Sequence, residues 1–362
     1  MNALSTAATA PAAASRVRVL VVEDSPVVRD FLTHILSLTP DLQVVGVAHD
    51  GEQAITMVRE VRPDVITMDI HMPGMNGFEA TRRIMETQAT PIVIVSGSST
   101  VGESVTAIRA LAYGAVAIMP RPYGFGHPEF AESAARLVET VRLMAEVKVV
   151  RRWAQPGAKA GAGAAPRVSP APVRADTRIV AIGASTGGPA AVVTILAALP
   201  KDLPFPVVLV QHICEGFTAG FAEWLGQTSG LPVHVAADGD VLLPGQVYVA
   251  PSGAHLGVSG SGRAQLSASP PENGVRPAVS HLFRSVATAF GRQAVAVLLT
   301  GMGRDGAEEL KLIRDRGGLT IAQDRASSVI HGMPGEAIRL GGAVHVLAPE
   351  AIGALLRGLS GR

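Results

Sequence analysis

Two stretches of the chain, residues 16–150 and 176–358, show the same alternation of hydrophobic and polar positions. Short apolar runs rich in Val and Ile are followed by longer segments with apolar residues at helical spacing. In the first stretch the apolar runs predict five strands, at 18–22, 43–48, 65–68, 91–96 and 116–119. The last predicted helix covers 129–149 and carries Leu137, Val141 and Met144 on one face. This alternation is typical of α/β folds built on a parallel sheet.

The pattern predicts two domains of this kind, joined by a linker. Five strands alternating with five helices predict a flavodoxin-like fold for 16–150, in which ligands bind at the carboxyl ends of the strands. For 177–358 we predict a doubly wound, Rossmann-like parallel sheet, with core strands at 179–182, 206–212 and 294–300. Residues 151–176 are dominated by Ala, Gly and Pro, which predicts a flexible linker. Residues 1–15 predict a disordered tail and lack the pattern of a signal peptide.

Composition narrows the classes of protein that fit. The 362 residues are 48% hydrophobic, and the net charge of +1 does not indicate a nucleic-acid or membrane-surface partner. A single cysteine, Cys214, excludes an intrachain disulfide and fits a reducing compartment. No apolar run has the length of a membrane span. We therefore expect a cytoplasmic protein that is not inserted in a membrane.

Acidic residues follow two strands of the first predicted domain. Glu23 and Asp24 end the first strand, Asp69 ends the third, and Ser96 ends the fourth. Three carboxylates at one sheet edge repel each other unless a cation lies among them, and Mg²⁺ prefers such oxygen ligands. A carboxylate in such a cluster can accept a phosphoryl group. Asp69 is the best acceptor because the Pro/Gly-rich loop after it leaves that side open.

The second domain begins with a strand that breaks into Gly183-Ala184-Ser185-Thr186-Gly187. This Gly-x-Ser-x-Gly turn precedes a helix started by Pro189, and it is how a serine nucleophile is presented on a tight turn. The alternative is a glycine-rich turn with no catalytic role, as occurs in any α/β domain.

Two further strands of this domain end in His212 and in the loop that contains Asp305. A serine needs a base to take its proton, and the base needs a carboxylate to orient it. We therefore predict Ser185 as nucleophile, His212 as base and Asp305 as orienting acid, with Asp238, Asp240 and Asp324 as weaker candidates for the last role. Cys214 is a poor nucleophile candidate because it lies only two residues from His212. The N–H groups of Met302 and Thr186 are the predicted oxyanion donors.

Two other functions are compatible with the motifs of the second domain. Residues 301–306 match G-x-G-x-x-G after a strand, and Asp324 follows at the spacing of a ribose-binding acid, which predicts a nicotinamide-dinucleotide oxidoreductase. Against this, Asp305 would lie where the pyrophosphate rests. The other alternative is a non-catalytic binding module controlled by the first domain.

The first domain closely resembles the receiver domain of two-component response regulators, through Glu23-Asp24-Ser25, Asp69 with its MPGMNG loop, Ser96 and Gly114-Ala115. The resemblance implies phosphorylation of Asp69 by a histidine kinase. It also implies Mg²⁺ held by Asp24, Asp69 and the backbone carbonyl of His71, with Glu23 close by, and Ser96 as the switch hydroxyl.

Two positions depart from the receiver pattern. Arg121 stands where receivers carry lysine, and Ile118 stands at the usual aromatic switch position. A guanidinium is larger and planar, so Arg121 is expected to neutralise the phosphoryl charge with altered coupling.

The second domain resembles the effector domain of the CheB protein-glutamate methylesterase family. The residues that carry the resemblance are GASTGG (183–188), QHI (211–213), GFT (216–218), YVAP (248–251), HL (255–256), RPAVSHLFRS (276–285), GMGRDG (301–306) and HGMP (331–334). It implies the roles already assigned to Ser185, His212, Asp305 and Met302, with no cofactor for the esterase chemistry. Ser280 and Cys214-Glu215 depart from the common family pattern, and neither is expected to touch the triad.

The resemblance also implies a reaction and its partners. The reaction is hydrolysis of glutamate methyl esters on methyl-accepting chemotaxis receptors, which releases methanol, and some members also deamidate receptor glutamines. A chemotaxis-type histidine kinase would be the phosphodonor, and the protein would be recruited to receptor arrays. The unphosphorylated receiver is expected to pack over the catalytic crevice and block it.

Overall fold

The structure, a computed structural model, describes residues 16–97, 101–147, 149 and 176–360, without the side chains of 101–104. The predicted tail and all but the last residue of the predicted linker lie outside the described residues. Within the described ranges, no helix combines the length and hydrophobicity needed to cross a membrane.

The first domain is a five-stranded parallel sheet in the order β2-β1-β3-β4-β5, which confirms the flavodoxin-like prediction. The predicted strands differ from the observed ones by at most one residue at each end, and the last helix stops at Ala145 instead of 149. The elements are β1 (Val17–Val22), α1 (Pro26–Ser37), β2 (Leu42–Ala48), α2 (Gly51–Val61), β3 (Val65–Met68), α3 (Gly77–Thr87), β4 (Ile92–Ser96), α4 (Val101–Ala112), β5 (Ala117–Pro120) and α5 (Phe130–Ala145).

The second domain contains a seven-stranded parallel sheet in the order β14-β13-β12-β6-β7-β9-β8, with a separate antiparallel hairpin, β10-β11. The doubly wound prediction is confirmed. The elements are β6 (Ile179–Ala184), α6 (Gly188–Ala197), β7 (Val207–Gln211), α7 (Thr218–Ser229), β8 (Val233–Val235), β9 (Val247–Val249), β10 (His255–Val258), β11 (Ala264–Ser267), α8 (Val279–Phe290), β12 (Ala294–Leu298), α9 (Ala307–Asp315), β13 (Leu319–Gln323), α10 (Met333–Arg339), β14 (His345–Leu347) and α11 (Pro349–Gly358).

The central strands of both sheets are buried on both faces, which explains their continuous apolar sequences. All residues of β4, β6, β7 and β12 are buried. Strands of this type sit between layers of helices, so polar side chains are left to the strand ends. The chemistry of each domain is therefore concentrated at the carboxyl edge of its sheet.

The two domains pack against each other through helices and through apolar loop side chains. Helix α4 of the first domain contacts α7 and α6 of the second. Cys214, Val329 and Ile330 of the second domain pack against the hydrophobic core of the first, which includes Leu137, Val141 and Met144 of α5. This contact brings the first domain to the carboxyl edge of the second sheet.

Candidate functional site

The turn that carries Ser185 is fixed by close backbone packing. The Ser185 N–H donates to the Thr300 carbonyl at 3.0 Å, and the Gly188 N–H donates to the Ser185 carbonyl at 2.8 Å. Gly187 has φ 78°, which favours glycine, and it precedes the first turn of α6. A Cβ on Gly301 would lie 2.7 Å from the Ser185 Cβ, so only glycine lets the two loops approach this closely.

Ser185, His212 and Asp305 follow three adjacent strands, β6, β7 and β12. Strand order reverses at β6 and β12, which is where doubly wound sheets form their binding crevice. Nε2 of the His212 ring lies 2.9 Å from Asp305 Oδ2, and the backbone N–H of His212 donates to the Ala184 carbonyl at 2.9 Å. The structure therefore brings the predicted base and orienting acid into direct contact beside the predicted nucleophile.

Asp305 is held at the amino terminus of α8, a feature that the sequence pattern did not indicate. Its Oδ2 accepts the Val279 N–H at 2.6 Å, and its Oδ1 accepts the Ser280 N–H at 3.0 Å. The Asn273 amide also donates to Oδ1 at 3.0 Å. The expectation that Ser280 stays clear of the triad is wrong, because its backbone is a direct partner of Asp305.

These partners keep Asp305 ionised in a buried place. The residue is 4% exposed. Burial opposes ionisation, but the His212 contact and the Ser280 donors outweigh it and hold the pKa of Asp305 at about 2. The positive end of α8 adds to this preference for an anion. Asp305 is therefore suited to hold an imidazole in one tautomer and to stabilise its protonated form.

The contact between His212 and Asp305 also assigns roles to the two ring nitrogens. Because Nε2 contacts the Asp305 carboxylate, Nδ1 is the ring nitrogen that is available to receive the Ser185 proton. No hydrogen bond joins the Ser185 hydroxyl to His212 in the described part of the chain. Such catalytic bonds commonly shorten only when substrate is bound.

The weaker candidates from the sequence occupy local structural positions. Asp238 accepts the Leu266 N–H, Asp240 accepts the Ala237 N–H, and Asp324 accepts the N–H and hydroxyl of Ser327. Burial raises the pKa of the Cys214 thiol, which makes a thiolate nucleophile unfavourable.

The acidic cluster of the first domain forms as predicted. Glu23, Asp24 and Asp69 each place one carboxylate oxygen within 4.8 Å of the others. The Arg121 guanidinium lies between two of them, 3.0 Å from Asp69 Oδ2 and 3.1 Å from Glu23 Oε2. Burial raises the pKa of Glu23 to about 7, the charge of Asp69 adds to this shift, and Arg121 opposes it.

The oxygens of this cluster fit a hard divalent cation. Both Asp69 carboxylate oxygens and Glu23 Oε2 are buried and accept no hydrogen bond of good geometry within the described ranges, although Asp69 Oδ2 and Glu23 Oε2 are ion-paired with Arg121. Buried carboxylate oxygens without a hydrogen bond are the donor set that Mg²⁺ prefers. Ser96 is buried at the end of β4, and its backbone carbonyl accepts the backbone N–H of Arg121 at 3.0 Å. The two predicted switch residues are therefore adjacent.

A cavity of about 920 Å³ lies between the domains, and it includes the catalytic crevice. The second domain contributes Ser185, His212 and Met302 to its lining. The first domain contributes Arg121 and residues of α5, among them Glu132 and Arg136. The receiver-like domain thus forms one wall of the space in front of the predicted nucleophile.

The two parallel sheets, the acidic cluster and the Ser-His-Asp crevice define a receiver domain followed by a hydrolase-type α/β domain. The profile of the response regulator receiver domain matches residues 19–127, and that of the CheB methylesterase matches residues 180–356. The chain belongs to the CheB methylesterase family, which confirms the resemblance seen in its motifs.

Relatives match the chain over nearly its whole length. A protein-glutamate methylesterase/protein-glutamine glutaminase of Nitrosospira multiformis is 54% identical over 95% of this chain and 97% of its own. A relative with the same description, numbered 4, from Geobacter metallireducens is 53% identical over 95% of this chain and 99% of its own. The crystal structure of the Thermotoga maritima CheB methylesterase catalytic domain is 41% identical, with TM-score 0.49, over 51% of this chain and 98% of that one.

Proposed function

We propose that this chain is a receiver-regulated protein-glutamate methylesterase that hydrolyses glutamate methyl esters on methyl-accepting chemotaxis receptors and releases methanol. Deamidation of receptor glutamines belongs to the same proposal, because relatives of high identity carry both activities in their names. The observation that carries the proposal is the contact between His212 and the buried, ionised Asp305 beside the Ser185 turn.

The chemistry follows from these three side chains. Ser185 Oγ attacks the ester carbonyl carbon while its proton passes to Nδ1 of His212. The tetrahedral intermediate collapses, the carbon–oxygen bond to methoxide breaks, and His212 returns the proton so that methanol leaves. Water then attacks the acyl-Ser185 with His212 again as base, and a glutamate carboxylate is released. With a glutamine side chain, the same sequence releases ammonia.

The N–H groups of Met302 and Thr186 are the proposed oxyanion donors. Neither donates a hydrogen bond to another group in the ranges that the structure describes, so both are available to a substrate oxygen. Both residues line the cavity in front of Ser185. A positioned donor of this kind contributes on the order of 10²–10³ in rate in a well-studied serine protease.

Control by the first domain rests on Asp69. We propose that a chemotaxis-type histidine kinase phosphorylates Asp69, with Mg²⁺ held by Asp24, Asp69 and the His71 carbonyl and with Glu23 nearby. The ion, when bound, supplies positive charge to the transferred phosphoryl group. Arg121 already lies beside Asp69 and is suited to bind the phosphoryl oxygens, with Ser96 as the adjacent hydroxyl.

The closed arrangement of the domains supports inhibition by the unphosphorylated receiver. Its α5 forms one wall of the cavity at Ser185, so a folded receptor segment would need the domains to separate. We assign residues 16–150 to the receiver, 151–176 to the linker and 177–358 to the catalytic domain, acting in the cytoplasm at receptor arrays. Deletion of residues 1–175 should raise basal activity; a fragment no faster than the unstimulated full chain would contradict this arrangement.

A serine-directed test separates this proposal from its alternatives. A fluorophosphonate probe should label the full chain at Ser185, and Ser185→Ala should lose both the label and methyl ester hydrolysis. A binding module would show neither activity nor label. A dinucleotide enzyme would show a thermal shift with NAD. We do not expect one, because the Asp305 carboxylate is already bonded to His212 and to the backbone at the start of α8.

A further inference from the structure

The side chain of Gln211 joins the two catalytic loops. It is the last residue of β7 and is only 3% exposed. Its Nε2 donates to the Ser185 carbonyl at 2.8 Å and to the His212 carbonyl at 3.0 Å. One amide group therefore contacts the backbone of both the nucleophile and the base.

The other end of this amide is unpaired. Gln211 Oε1 is buried and accepts no hydrogen bond within the described ranges. A buried acceptor without a donor costs free energy, so a half-satisfied amide in a core calls for an explanation. The two hydrogen bonds that Nε2 donates provide that explanation. An apolar side chain of the same size would avoid the cost of the unpaired oxygen, but it would not connect the Ser185 and His212 loops.

The orientation of the amide is fixed by its surroundings. A Cβ on Gly188 would lie 2.2 Å from Gln211 Oε1, so the amide oxygen packs directly against the first turn of α6. A flipped amide would turn its oxygen toward the Ser185 and His212 carbonyls and lose both hydrogen bonds. Nε2 is thereby directed at the two carbonyl oxygens, and the separation between the two loops is set by one rigid group.

The two carbonyls depend on Gln211 to different degrees. The Ser185 carbonyl also accepts the Gly188 N–H at 2.8 Å, so it keeps a partner when Gln211 changes. For the His212 carbonyl, the Gln211 amide is the one donor found in the described ranges. Loss of the amide should therefore loosen His212 more than Ser185.

We propose that Gln211 is a positioning residue for the esterase reaction, which holds the backbone of His212 at a fixed distance from that of Ser185. The inference rests on the proposed function, since it concerns the geometry of that nucleophile and base. Misplacement of reacting groups by about 1 Å can cost on the order of 10² in rate.

The test replaces the amide by an apolar group of similar length. Gln211→Met in the full chain should lower kcat for methyl ester hydrolysis by about 10-fold to 100-fold and leave KM nearly unchanged. Thr320→Val is the matched control, because Thr320 lies on β13 of the same sheet and its buried hydroxyl also donates to a loop carbonyl, that of Gly342, away from the crevice. The control should lose stability and keep kcat.

A second variant keeps the test informative if Gln211→Met folds poorly. Gln211→Glu places a carboxylate against two carbonyl oxygens in a buried site, which favours its protonated form. The protonated acid has an O–H to donate and the carboxylate has none. The activity of this variant relative to the unmodified chain should therefore rise as the pH falls from about 8 to about 6.

The outcomes distinguish this inference from the function on which it rests. Activity that survives Ser185→Ala would contradict the proposed function itself. Loss of activity in Ser185→Ala together with unchanged kcat in a folded Gln211→Met would overturn the positioning role alone. A relative activity of Gln211→Glu that does not depend on pH would also overturn it.

Discussion

Replacement of Asp305 by asparagine tests the geometry of the catalytic crevice in a way that the structure makes quantitative. Each carboxylate oxygen has two partners: Oδ2 is shared by the Val279 N–H and His212, and Oδ1 by the Ser280 N–H and the Asn273 amide. In the Asp305→Asn variant the side chain retains one acceptor oxygen, so its NH₂ group must face donors on one side. Both orientations of the new amide are therefore unfavourable.

The two orientations have different consequences. If the NH₂ group replaces Oδ2, it faces His212 Nε2 and holds the imidazole in the tautomer that cannot take the Ser185 proton, which in the serine-protease template costs about 10⁴ in kcat. If it replaces Oδ1, it faces the Ser280 N–H and the Asn273 amide, and one buried unpaired donor costs about 1–3 kcal/mol. The first orientation sets the NH₂ group against one fixed donor, the Val279 N–H, because His212 can change tautomer and accept from it; the second sets it against two donors, the Ser280 N–H and the Asn273 amide. The first orientation is therefore favoured, and we expect a large loss of kcat with a measurable loss of stability.

The pH dependence of stability should change as well. The pKa of Asp305 is held at about 2, below the ordinary value of 3.8, so its ionised form stabilises the folded state above pH 3.8. This contribution, about 2 kcal/mol, is lost as the pH falls through about 2. Asp305→Asn should lack that part of the acid destabilisation, which urea unfolding at a series of pH values would measure.

The assay is methyl ester hydrolysis by the folded variant, with Asp238→Asn as control. Asp238 is a carboxylate that accepts a single backbone N–H, that of Leu266, on the exposed β11 side of the domain. The control should hydrolyse ester at the unmodified rate. A kcat for Asp305→Asn within about tenfold of the unmodified chain would refute the orienting role of Asp305.

Three further predictions concern the neighbours of these groups. Asn273→Ala should lower kcat by about tenfold with little change in KM, because one of the two Oδ1 donors to Asp305 is lost; steady-state kinetics would show it, and an unchanged kcat would argue against it. Arg121→Lys should change the stimulation by a small phosphodonor, because a single ammonium is a poor replacement for a guanidinium that contacts both Glu23 and Asp69. An identical dose response would count against this coupling. Chelation of Mg²⁺ should abolish phosphodonor stimulation and leave basal hydrolysis unchanged, and loss of basal hydrolysis would mean that the crevice itself needs a metal.

Much of the fold and the placement of Ser185, His212 and Asp305 at one sheet edge were predictable from sequence because of how parallel sheets are built. Continuous apolar runs such as those of β7 and β12 mark strands buried on both faces, and polar residues directly after them must lie at one edge. Ser185, His212 and Asp305 follow three such runs. Their convergence therefore needs no knowledge of the loops between them.

The partners of Asp305 were not predictable in the same way. Asn273 and the start of α8 lie 32 and 26 residues from Asp305 along the chain. They reach it through an irregular loop, and no periodic pattern indicates such a contact. The contact of the Gln211 amide with the Ser185 and His212 carbonyls could not be predicted either. In the sequence, a polar residue at a strand end looks the same whether it contacts solvent or two carbonyl groups.

The short strands and the contact between the two domains could not be predicted from the sequence, for a related reason. Strands β8, β9 and β14 have three residues each, which is too few for alternation to be distinguished from a loop. The packing of Cys214, Val329 and Ile330 against the first domain depends on tertiary complementarity between surfaces that are separate in sequence.

The measurement that tests the account most directly is methanol release from methyl-labelled receptor membranes, made with and without a small phosphodonor and Mg²⁺. We predict release by the unmodified chain that rises with the phosphodonor, and no release by Ser185→Ala in either condition. Absence of release from an authentic methylated receptor, or equal release by Ser185→Ala, would contradict it.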